Sequence, residues 1–90
     1  MKLLSTYINE SSRDVKNPKF RKLMKQAGLE DVILVKADGY FYLTSDNDDV
    51  FNELEKVNTT IYHNSFSQYT PEEWVEDIVY ILKDTSLVNL

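Results

Sequence analysis

The chain has 90 residues, the size of one small domain, with 42% hydrophobic and 28% charged residues, an ordinary globular balance and not that of a disordered tail. Cysteine is absent, which excludes disulfides, Cys-ligated metal sites and thiol catalysis. No apolar run approaches the roughly 20 residues of a membrane span, and the start, Met1 to Thr6, is too short an apolar stretch for a secretory signal. A cytoplasmic protein with no membrane association is therefore expected.

The net charge of −5 is unevenly spread. Residues 1–28 hold seven bases against two acids (+5), and residues 29–90 hold three bases against 13 acids (−10). Such a split bears on surface fields and partners rather than on fold, and two solvated faces explain it without any partner.

In chain order, residues 1–16 form an N-terminal arm or a short helix. Leu3, Leu4, Tyr7 and Ile8 suit one helix turn but also suit an arm packed on the core, and residues 9–14 are polar. The core domain is expected over 17–84. Asn17 and Pro18 are a helix start. Phe20, Leu23, Met24 and Ala27 follow at helical spacing, and Gly28 is the stop. Val32 to Val35 and Tyr40 to Thr44 are two β-runs around Asp38-Gly39, a hairpin signal of the type I′ kind. A two-residue turn pairs Val35 with Tyr42 and Leu34 with Leu43. One face then carries Val32, Leu34, Phe41 and Leu43, the better candidate for a helix-covered core. The other carries Ile33, Val35, Ala37, Tyr40, Tyr42 and Thr44.

Acids from Asp46 to Asp49 open a further helix with Val50, Phe51, Leu54 and Val57 at helical spacing. Thr60 to Asn64 reads as a third strand and Ser65 to Tyr69 as a loop. Thr70-Pro71-Glu72-Glu73 is a capping box, with Tyr69 placed to staple onto Trp74. Asp84 to Leu90 reads as a fraying end. The expected fold class is α+β: a small two-layer domain, a three-stranded sheet with helices on one face, in the order (α)-α-β-β-α-β-α.

Little here supports catalysis. His63 is the only histidine and reads as a surface or hydrogen-bonded structural residue. Ser45, Ser65 and Ser67 lie in no nucleophile motif, and two glycines leave no phosphate-cradling loop. A calcium loop starting at Asp46 would put Phe51 where glycine is required and Val57 where glutamate is required, so the pattern fails. No enzyme activity, cofactor, metal or small-molecule substrate is expected.

Two binding surfaces stand out. Tyr40, Tyr42 and Tyr62, with Ile33 and Val35, form a candidate protein interface on the open sheet face, since tyrosine buries area with few rotors and keeps a polar handle. Lys16, Lys19, Arg21, Lys22 and Lys25 form a candidate basic patch along the helix at 18–27, which could serve nucleic acid with the tyrosines as a stacking platform. The scarcity of bases on the strands and the −10 of residues 29–90 speak against phosphate binding. A third reading is an acidic inhibitor or DNA mimic that docks on a basic protein.

The run Asp38-Gly39-Tyr40-Phe41-Tyr42, then Thr60-Ile61-Tyr62, Phe66 to Gln68, and Thr70-Pro71-Glu72-Glu73-Trp74-Val75 resembles small uncharacterised proteins of bacterial genomes, phages and plasmids. In those, a post-glycine aromatic strand, an Ile-Tyr or Val-Tyr strand and a Trp-led final helix recur in this order. The resemblance spans about residues 20–83 and implies no catalytic residue. It implies an accessory protein of a mobile element. The expected function is thus non-enzymatic binding of a protein partner or of a second copy of the chain.

Overall fold

The computed structural model describes residues 13–88. A two-residue strand β1 (Arg13–Asp14) leads into helix α1 (Pro18–Gln26) and the hairpin strands β2 (Ile33–Lys36) and β3 (Phe41–Thr44). Helix α2 (Asp48–Leu54), a 3₁₀ turn (Phe66–Gln68) and helix α3 (Pro71–Ile81) complete the chain.

Local chemistry sets each boundary. Asn17 Oδ1 accepts the Phe20 N–H at 2.9 Å, with Pro18 in the first turn of α1. Gly28, at φ 78°, closes α1: its N–H donates to Lys25 O, and the Leu29 N–H donates to Met24 O at 2.8 Å. This pair of bonds is the glycine-ended helix stop, and it drops Leu29 into the core. Asn47 caps α2 through the Asp49 and Val50 amides. The Thr70–Glu73 capping box closes in both directions, at 3.2 and 2.9 Å, and Tyr69 packs edge-on against Trp74 at 5.7 Å.

The hairpin register is Lys36–Phe41, Val35–Tyr42, Leu34–Leu43 and Ile33–Thr44. Its turn is not of type I′. Only Gly39 has positive φ, at 87°, and Asp38 does not, so a single left-handed residue carries the reversal, as in a type II turn.

The expected three-stranded sheet with 60–64 as its third member is incorrect. The sheet proper is the two-stranded antiparallel hairpin β2–β3. Residues 60–64 touch it through one bridge only, Ile61 with Phe41. Local hydrogen bonds turn the chain on both sides of that bridge. Asn58 Oδ1 takes the Thr60 N–H at 3.0 Å, and the His63 N–H folds back onto Ile61 O at 3.1 Å. On its other edge β2 carries the short β1, with Arg13 opposite Lys36 and Asp14 opposite Val35, extended by the Val15 N–H to Leu34 O at 2.8 Å. The element order is therefore β-α-β-β-α-α, with no strand between α2 and α3. The N-terminal arm or helix expected over 1–16 lies outside the described residues up to Ser12, and its last residues supply β1.

The inner face of the hairpin meets the helices. Phe20, Met24, Leu29, Val32, Leu34, Phe41, Leu43, Leu54, Ile61, Trp74, Ile78 and Leu82 form one buried cluster. Trp74 is its hub. It stacks on Phe66 at 5.3 Å and 7°, lies 4.8 Å from Phe41, and donates its indole N–H to Phe66 O at 2.7 Å. Burying an aromatic ring with its polar atom satisfied contributes several kcal/mol. The expected fraying end is also corrected as far as Val88. Thr85 is buried and bonds Leu82 O, the Ser86 N–H donates to Glu53 Oε1 at 2.9 Å, and Leu87 and Val88 pack against the core.

Candidate functional site

Alternation along β3 sends Phe41 and Leu43 inward and Tyr40 and Tyr42 outward. The Ile61 bridge then brings the next residue, Tyr62, alongside: the Tyr40 ring lies 6.2 Å from Tyr42 and 6.5 Å from Tyr62. Tyr62 is 77% exposed, Tyr40 37%, and Tyr42 is half-buried. The three rings thus form one aromatic patch on the side of the hairpin away from the core.

The aliphatic members of the candidate interface behave differently. Val35 is buried, as is Ala37 opposite Tyr40, and Ile33 is half-buried. Neither Val35 nor Ala37 belongs to the central cluster. The accessible part of the site is therefore the tyrosine triad. One residue of this face had no sequence signal: Asp14, in a polar stretch without β-character, enters the Val35–Tyr42 row through β1.

The candidate basic patch is on the other side. Lys19, Arg21, Lys22 and Lys25 are exposed on α1, and Lys16 is exposed just before it. That helix packs by Phe20 and Met24 into the inner-face cluster, so the hairpin lies between the bases and the tyrosines. The patch is also partly compensated. Lys19 Nζ lies 2.8 Å from Glu72 Oε2 of α3, and this contact holds the Glu72 carboxyl below its usual range. Arg21, Lys22 and Lys25 share the lining of a cleft of about 500 Å³ with Asp14, Glu30 and Asp46. The positive stripe read along the helix is thus, in space, a mixed-charge surface.

His63 packs edge-on against Tyr69 at 4.5 Å and Trp74 at 5.5 Å, a structural placement. Asp48 and Asp49 sit in the first turn of α2, where the helix dipole favours acids. Among the described residues no three His, Asp or Glu side chains are grouped to hold a metal ion, and no helix is long and apolar enough to cross a membrane. Two further exposed aromatics lie elsewhere: Phe51, at 39%, on α2, and Tyr80, at 67%, on α3 with Lys83 Nζ 4.1 Å from its ring centroid. No family model matches the chain, and neither does any curated protein or solved structure.

Proposed function

We propose that the chain is a non-enzymatic binding module that docks on another protein through Tyr40, Tyr42 and Tyr62. The observation that carries the reading is the ring cluster, with centroid spacings of 6.2 and 6.5 Å and its outermost member 77% exposed. Three clustered tyrosines offer large, stiff contact area with hydroxyls at the rim, the composition of interface hot spots. An accessory role in a mobile element draws its support from the sequence resemblance alone.

The nucleic-acid reading needs bases and stacking rings along one path, since phosphate contacts supply most of such affinity. Here the rings and the basic helix lie on opposite sides of the hairpin, and the helix carries its own counter-charges.

Size exclusion coupled to light scattering tests the choice, with single- and double-stranded oligonucleotides at low and moderate salt. The expected result is a mass unchanged by oligonucleotide at both salts. A complex that forms at low salt and dissociates as salt rises overturns the proposal in favour of the basic helix.

A further inference from the structure

We propose that Asp38 is a site of spontaneous modification: it isomerises to isoaspartate through attack by the Gly39 amide, which lengthens the hairpin turn beside Tyr40. The inference stands apart from the docking reading and needs no partner.

An aspartate closes a five-membered ring when the next residue's amide nitrogen reaches its side-chain carboxyl carbon. That step needs rotation about the aspartate Cα–C bond and loss of the amide proton. A hydrogen bond on that N–H resists both, and a side chain on the following residue crowds the approach.

The chain has eight aspartates, and the structure holds the following amide at all but one. After Asp14, Asp31 and Asp84, the Val15 N–H donates to Leu34 O at 2.8 Å, the Val32 N–H to Leu29 O at 3.0 Å and the Thr85 N–H to Leu82 O at 2.9 Å. After Asp46, the Asn47 N–H donates to Ser45 Oγ at 3.0 Å. After Asp48 and Asp49, the amides of Asp49 and Val50 donate to Asn47 Oδ1. Ile78, after Asp77, lies inside α3, where the helix ladder takes its N–H.

Asp38 is the exception. Among the described residues the Gly39 N–H has no acceptor, and the one backbone bond across the turn runs from the Ala37 N–H to Tyr40 O at 2.8 Å. Both turn residues are exposed. Gly39 has no side chain, and a Cβ built there would meet nothing within 4 Å, so nothing crowds its backbone.

The step balances with water as the only co-reactant. The Gly39 nitrogen bonds to Asp38 Cγ, a carboxyl oxygen leaves as water with the amide proton, and a succinimide remains. Water that reopens the ring at Cγ returns aspartate. Water that reopens it at the main-chain carbonyl leaves isoaspartate, whose chain runs through Cβ and Cγ. The former main-chain carbonyl carbon becomes the pendant carboxylate, so charge is unchanged and the turn gains one backbone atom. Loop length fixes hairpin register, so the added atom displaces the Ala37–Tyr40 pair.

The test ages the full chain and a free peptide of residues 33–44 side by side in warm neutral buffer. Isoaspartate is measured by methyl transfer from labelled S-adenosylmethionine with an isoaspartyl methyltransferase, and placed by fragmentation mass spectrometry. It is expected at residue 38 before any other aspartate, at a rate within about tenfold of the peptide's, since an unbonded turn amide opens at little cost. Asp38→Glu, which keeps the charge and cannot close the five-membered ring, should abolish it. The isomerised fraction should show moved Ala37 and Tyr40 amide signals and an unmoved Trp74 indole signal. No isoaspartate at 38, a rate below that range, faster accumulation at another aspartate, or unmoved Ala37 and Tyr40 amides each overturn the inference.

Discussion

Phe41 and Tyr42 are neighbours on one strand and meet opposite fates. Phe41 has no solvent exposure and lies 4.8 Å from Trp74. Tyr42 turns to the other side, joins Tyr40 at 6.2 Å and keeps part of its surface open. The residue types are alike, so composition does not separate them; register does. The inner row is committed to stability, where each ring has neighbours on every side. The outer row is mixed: Val35 and Ala37 are buried and Tyr42 half-buried, while Tyr40 and, beside it, Tyr62 are exposed. The exposed Tyr62 ring costs the fold little to change and is open to recognition.

The largest effects test the inner side. Trp74→Ala removes the hub ring and its hydrogen bond to Phe66 O, and Phe41→Ala removes the ring beside it. Each should cost about 3–5 kcal/mol in urea unfolding, close to the whole stability of a small domain. Tyr62→Ala should cost less than about 0.5 kcal/mol, as an exposed substitution does. Similar losses for Tyr62→Ala and Phe41→Ala would erase the distinction between the two sides.

Gly39→Ala comes next. An added Cβ meets nothing within 4 Å, so the cost is conformational alone: an L-residue forced to φ 87°. About 1 kcal/mol is expected by urea unfolding. A neutral result would mean that the turn relaxes, and with it the register that sends Tyr40 and Tyr42 outward.

The smallest effect concerns pH. Glu53 accepts a hydrogen bond from Lys56 and another from the Ser86 amide, and these hold its carboxyl at about 2, down from 4.5. A depressed folded-state value means the tie contributes stability above the unfolded value and loses it as pH falls from about 4.5 through 2. The Ser86 amide shift should titrate with a midpoint near 2. A midpoint near 4.5 would show the C-terminal turn untied from α2.

The legible parts of the fold were those written in local chemistry. Asn17-Pro18 to Gly28 and Thr70 to Trp74 carry helix ends within a few residues, and Asp38-Gly39 set the pairing of Val35 with Tyr42. The turn type is not legible, because Asp-Gly serves a turn with one left-handed residue as well as one with two. The expected third strand fails for a different reason. Thr60-Ile61-Tyr62 has strand composition, but only Ile61 exchanges bonds with Phe41, and the His63 N–H, the next amide on the β3 side, folds back onto Ile61 O. The pairing of Arg13–Asp14 was invisible, since a two-residue edge strand has no periodicity. Of the site, the outward direction of Tyr40 and Tyr42 followed from register. The burial of Val35 and the placement of Tyr62 beside Tyr40 required the tertiary path of the chain.

The claim that the tyrosine side, and not the basic helix, meets the partner is tested most directly by a photo-crosslinking residue. It would be placed in turn at Tyr62 and at Lys22 in the cells that make the protein, both positions being exposed. The account predicts a discrete protein adduct from position 62 that is lost when Tyr40→Ala is added, and none from position 22. An adduct from position 22 alone, whether protein or nucleic acid, would contradict it.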